Sequence, residues 1–301
     1  MSKRTKAYLA LLTTTIIWGA AFPIIKPSYD HISPFQFLFF RYLIAAPLTL
    51  PFLIYYFKKL KPTLKQSINI ILLELLGASF ALAILYVGLA KTTALEASLI
   101  AATSPVITTL GGIIFLKERE EKKEWIGLII SFLGSLILVF EPIFNDQSLL
   151  KTFSLSGNLI ILSYNFIIAA YYLLAKKHYK NLPKIFVTST SYLISLITFS
   201  FILAVTKTPT PLSLLKIPSV AIATIYMAIP GSIIALTARI YGQNLIEASE
   251  ASLFQYLQAV VAIPTVFFLL NQTPTTGQLI AIIVILIGVF LGEYRPRKIK
   301  R

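Results

Sequence analysis

Arg41, Glu74 and Arg239 lie inside long apolar stretches of this 301-residue chain, and Glu96 and Glu250 near the starts of two others. A charge in hydrocarbon is costly, so such a residue must be paired, hydrated or retained for function. Glu74 and Arg239 fall at similar depth near one end of their stretches and are expected to approach each other, closing one side. Arg41 could meet Glu96, or could snorkel outward to the lipid headgroups. Glu96 and Glu250 fall in first helical turns, where a carboxylate complements the helix dipole, so a structural role suffices for both.

The uncharged polar residues form a second group. Gln255 and Gln258 put two amides near the middle of one stretch, and Ser104 and Thr108 share a face of another. These four are expected to line a cavity, although small polar residues also serve simply to join helices. Trp18, Tyr86, Tyr164, Tyr241 and Tyr256 are aromatic candidates for the wall, and Asn165 and Asn244 are secondary polar ones. Pro105 and Pro264 lie within apolar stretches and should kink their helices.

Enzymatic chemistry finds little purchase. His31 and His178 sit in loops, there is no Cys, and no HExxH pattern or phosphate-binding loop occurs. No catalytic set, metal site or cofactor is therefore expected. The net charge of +15 could suggest nucleic acid, but the basic residues cluster between apolar stretches, where they set membrane orientation instead. A small-molecule substrate and the lipid bilayer are the expected partners; monomer and homodimer both remain open.

The elements that must position these residues are helices in a membrane. The chain is 56% hydrophobic and 13% charged, with a mean hydropathy of +0.79, against about 25% charged residues in soluble domains. Apolar runs predict ten spans: 7–25, 35–57, 68–90, 94–116, 125–141, 154–175, 185–206, 218–242, 248–270 and 275–293. Lys and Arg concentrate at the N-terminus and in alternate loops at 58–65, 117–123, 176–184 and 295–301, which places both termini in the cytoplasm.

One stretch occurs twice. Residues 94–142 and 248–296 align without a gap, matching at Ala94/Ala248, at EASL (Glu96–Leu99 with Glu250–Leu253), at Leu116/Leu270, Gly134/Gly288 and Pro142/Pro296. The chain is thus expected to be an all-α polytopic membrane protein of two five-helix units, 1–148 and 149–301. Five spans is an odd number, so the second unit should lie inverted relative to the first. Inverted repeats are a recurrent plan of secondary transporters, with the substrate site where the halves meet.

WGAAFPIIK (Trp18–Lys26), FFRYLIAAP (Phe39–Pro47) and the paired segments ASLIAATSPVITTLGGIIFLKE and ASLFQYLQAVVAIPTVFFLLNQ resemble the EamA family of the drug/metabolite transporter superfamily. The likeness covers nearly the whole chain. It implies ten helices, a central cavity, and export or exchange of small polar metabolites, amino acids above all, by alternating access. The second segment departs from the pattern: Asn271 and Gln272 stand where the first keeps Glu118. A multidrug exporter for lipophilic cations is the alternative of the same fold, although the first span lacks the acid that small multidrug resistance proteins use there. A lipid-modifying intramembrane enzyme is a more distant one.

Overall fold

Local sequence starts and stops the helices. Ser33 and Thr63 each cap a helix in a capping box, with Gln36 and Gln66 returning the bond, and Lys61 ends a helix in the left-handed region at φ 43°. The computed structural model describes residues 1–91, 104–117, 122–145, 155–270 and 276–293, and every regular element among them is helical. Contiguous helical stretches form α1 (Lys3–Asp30), α2 (Pro34–Leu60), α3 (Leu64–Lys91), α4 (Ser104–Leu116), α5 (Lys122–Asn145), α6 (Leu155–His178), α7 (Lys184–Val205), α8 (Pro218–Gln243), α9 (Ala248–Leu270) and α10 (Thr276–Glu293).

Seven of these helices are long and apolar enough to cross a membrane: α1, α2, α3, α6, α7, α8 and α9. Two further apolar helices, Ser104–Leu116 and Leu279–Gly292, are shorter. The expected span 94–116 is described only from Ser104 onward, so Glu96, Ser98 and Ala101 lie outside the described residues. Large apolar side chains such as Ile16, Ile54, Phe201, Ile222 and Ile283 are exposed around the bundle. In water such a surface would drive aggregation; in lipid it is the favoured one.

Packing respects the duplication. α2 packs on α7, α5 on α10, and α4 on α9; α1 packs on α8 and α9, as α6 packs on α3 and α4. Exchanging the two halves leaves this pattern of neighbours unchanged. Two π-helical segments, Leu75–Ala81 in α3 and Met227–Ile234 in α8, interrupt corresponding helices. Gly77 and Gly231 within them are separated by 154 residues, the offset of the sequence repeat.

The α5–α10 contact depends on missing side chains. A Cβ on Gly127 would lie 2.6 Å from the Gly288 carbonyl oxygen and from the Gly292 backbone, and one on Gly288 would lie 2.5 Å from Ser131 N. Backbone atoms cannot give way as a side-chain tip can, and small residues are what allow helices in lipid to approach this closely. Gly288→Leu should therefore separate α5 from α10 and destabilise the protein by about 1–3 kcal/mol or more. The measurement is the unfolding midpoint in detergent, with Ile283→Leu on the exposed face of α10 expected to leave it unchanged.

Candidate functional site

Polar groups on α1 bind it to α8 and α9. Thr14 Oγ1 donates to the Ala235 carbonyl at 2.9 Å, and Thr15 Oγ1 to that of Phe254 at 2.9 Å. Trp18 Nε1 donates to Gly231 O at 2.9 Å, and Tyr226 OH returns a 2.8 Å bond to Ile17 O. A Cβ on Gly19 would strike Gln258 O at 2.7 Å, so the glycine lets α1 cross α9 at close range. The indole is thereby held against a π segment, where carbonyls released from helical bonding accept side-chain donors.

Just beyond Trp18 lies a cavity of about 130 Å³. Trp18, Ala21 and Phe22 of α1, Arg41 and Tyr42 of α2, and Gly77, Ala78, Leu82, Leu85 and Tyr86 of α3 form one part of its wall. Tyr164, Ile168, Tyr171 and Tyr172 of α6, Met227 and Leu236 of α8, and Gln258 of α9 form the other. The lining is aromatic and aliphatic with few polar groups, the usual character of a small-molecule site. The volume is comparable with that of cavities that admit a benzene-sized group, roughly 150 Å³.

Among the described residues Arg41 is the one charged side chain on this wall, and it is 4% exposed. Its Nε donates to Ser232 Oγ at 2.7 Å, its Nη1 reaches Tyr86 OH at 3.4 Å, and the guanidinium lies 5.2 Å from the centre of the Tyr42 ring. Ser232 in turn donates to Met227 O at 2.7 Å, five residues back in the π segment. Among the described residues no carboxylate pairs with Arg41.

Glu74 lies behind the cavity wall and is fully buried. It accepts from Tyr179 OH at 2.7 Å and from Tyr171 OH at 3.2 and 3.4 Å. Burial and the Glu74 carboxylate together hold the Tyr179 phenol well above its usual range, so it stays protonated as a donor. Arg239 does not meet Glu74. Its Nη1 donates to Ala251 O at 2.8 Å, its guanidinium sits 4.8 Å from the Tyr172 ring centre, and it borders a separate void of about 10 Å³ with Thr108, Lys176 and Gln243. The expected pair is prevented by α6. Successive residues on a helix project about 100° apart, so Tyr171 takes Glu74 and Tyr172 takes Arg239.

The other candidates divide by helix face. Trp18, Tyr86, Tyr164 and Gln258 line the main cavity, whereas Thr108 borders only the small void. Ser104 is buried and accepts from Thr108 through its carbonyl. Gln255, Tyr256 and Asn165 do not reach the main cavity. Tyr256 packs with Leu128, Leu253 and Ile285; two residues from Gln258, it is turned about 200° around α9. Asn165 is fully buried beside Tyr164, and Gln255 is half-buried. Glu250 bonds Arg4 and Tyr8 at the start of α1, a structural clasp. Phe22, Tyr42, Tyr171, Tyr172 and Ser232 were not singled out in the sequence; the adjacent tyrosines of α6 were the available signal.

Comparison with known proteins agrees with this architecture. The profile described as EamA-like transporter family matches residues 5–140 and again 155–292. A protein of Archaeoglobus fulgidus named only as an uncharacterized transporter is 26% identical over 290 residues, covering 95% of this chain and 97% of that one. The uncharacterized transporter YyaM of Bacillus subtilis is 29% identical, covering 97% and 94%. The S-adenosylmethionine uptake transporter of Rickettsia bellii is 22% identical over 89% and 86%. A crystal structure 15% identical in sequence superposes with a TM-score of 0.79 over 96% of this chain and 97% of its own, which shows a shared fold.

The phenols around Glu74 allow a direct check. Removing one donor from a buried carboxylate costs about 1–3 kcal/mol. Tyr179→Phe and Tyr171→Phe should each lower the unfolding midpoint, and Tyr179→Phe should lower it more because it removes the shorter bond. Two variants as stable as the parent would mean that water, not the phenols, answers this carboxylate.

Proposed function

Because this chain belongs to the EamA-like transporter family, and so is a multi-pass integral membrane transporter, we propose that it is a secondary carrier working by alternating access. The observation that carries this reading is the cavity wall. Its helices come from both matched stretches, α1 to α3 from the first and α6, α8 and α9 from the second. A carrier must expose one site to each side in turn, and a site built at the seam of two similar units can do so by exchanging their conformations.

In this reading the units are 1–148 and 149–301, inverted relative to each other, with ten crossings and cytoplasmic termini. The exchange-invariant packing and the matched π segments support it. The substrate is a small polar metabolite, amino acids foremost, moved outward. The name of the Rickettsia bellii relative favours a second reading in which the flux is inward. Lipophilic cations fit less well, because among the described residues a guanidinium and no carboxylate lines the cavity. An enzymatic role finds no convergent set of catalytic groups among the described residues.

Purified protein in liposomes should show saturable counterflow of a labelled amino acid from a panel, without an imposed ATP supply. Solute-independent conductance would make it a channel instead. Sidedness can be read cleanly because the chain has no cysteine. In intact cells, Ser2→Cys should resist an impermeant maleimide while His31→Cys, exposed after α1, should react. The reverse pattern would overturn the orientation.

A further inference from the structure

Arg41 is a buried cation whose partners are all neutral. Its Nε is held by Ser232 and its Nη1 by Tyr86, while its Nη2 makes no hydrogen bond and is not among the atoms enclosed by protein. The free edge of the guanidinium thus opens onto the cavity that Arg41 lines. A buried charge without a counter-charge is destabilising by several kcal/mol, and phenol and hydroxyl dipoles offset that only in part.

The fold itself does not demand this charge. Aligned on the shared Tyr-Leu-Ile (Tyr42–Ile44 with Tyr192–Ile194), Arg41 of α2 corresponds to Ser191 of α7, a neutral and fully buried hydroxyl. A hydroxyl therefore suffices at this place in α7, whereas α2 carries a guanidinium there and reaches α8 through it. The side chain is also kept in place without a substrate: Ser232 is anchored on Met227 O, and Tyr42 lies beneath the guanidinium plane. A preorganised, planar, unpaired guanidinium is suited to an oxyanion, above all a carboxylate. Around it the wall is apolar and aromatic, with Trp18, Phe22, Tyr164 and Tyr172 close to hand.

We propose that Arg41 is the anion-binding subsite of the cavity, and that the transported molecule is an organic carboxylate with an apolar or aromatic body. The carboxylate supplies the counter-charge that the protein withholds, and the aromatic wall takes the body. This deepens the carrier reading and rests on it. Among the described residues no acidic side chain lines the cavity, so an amino group on the substrate is tolerated rather than required.

Three molecules of one skeleton test the assignment: L-phenylalanine, 3-phenylpropionate, which lacks only the amine, and 2-phenylethylamine, which lacks only the carboxylate. Binding to the purified parent protein is measured by calorimetry, and counterflow in liposomes. The two carboxylates should bind and be carried, and the amine should bind at least tenfold more weakly. Arg41→Gln should lose carboxylate binding at least tenfold, and Arg41→Lys, which keeps the charge but not the fork, should lose less. The comparison among ligands uses the parent protein alone, so it stands even if a variant fails to fold. Preference for the amine, binding of none of the three, or carboxylate binding unchanged in a folded Arg41→Gln would overturn the proposal. Saturable counterflow of the amine that ignores Arg41 would sink the anion subsite while leaving the carrier intact; counterflow of no solute would sink both.

Discussion

Hydrocarbon offers no hydrogen-bond partner, and this constraint governs the whole structure. Each polar group inside the bundle has to be answered from within the protein. Thr14, Thr15 and Trp18 on α1 find carbonyls on α8 and α9. Ser232 finds Met227 O in its own π segment, and Glu74 finds two phenols. These bonds act as adhesive between helices whose surfaces are otherwise no more attracted to one another than to lipid tails. Arg41 is answered by neutral groups alone, and it lies on the cavity wall.

The same constraint explains the irregular backbone. A π turn displaces carbonyls from the regular ladder, which is tolerable at membrane depth only where the segment faces protein or a cavity. Both π segments meet that condition. Gly77 and Ala78 of one line the cavity, as does Met227 of the other, and Gly231 O receives the Trp18 indole. Gly77 also lets the Tyr171 ring come so close that a Cβ would lie 2.2 Å from it. Backbone irregularity, aromatic wall and buried carboxylate are thus one connected arrangement.

Duplication built the scaffold, but the charges are not duplicated. Arg41 corresponds to Ser191 of the second half, and Glu74 and Arg239 correspond at the offset of 154 to Ala228 and Leu85. Helix neighbours, glycine contacts and π segments recur in both halves because packing in lipid depends on shape. The charges break the symmetry: Arg41 lies on the wall of the cavity between the halves, where its counterpart carries a hydroxyl.

Much of this was legible in the sequence. Apolar run length identified the helices, since a bilayer sets that length, and Ser33 and Thr63 marked two helix starts through short-range bonds. Trp18, Tyr86, Gln258 and Arg41 could be named as candidates because polar or aromatic groups in such runs need a reason. Facing could not be read. A helix that is hydrophobic all round carries no stripe to show which side turns inward. Gln258 and Tyr256 therefore looked alike in sequence, although one lines the cavity and the other packs in the core. Glu74 and Arg239 looked like partners because depth is a property of position along one helix. Their separation is a property of α6, which stands between them. The sequence by itself determined that this chain lives in lipid, as helices, in two related halves; only tertiary packing decided how each helix is rotated, and with it which charge is answered and which is left open to the cavity.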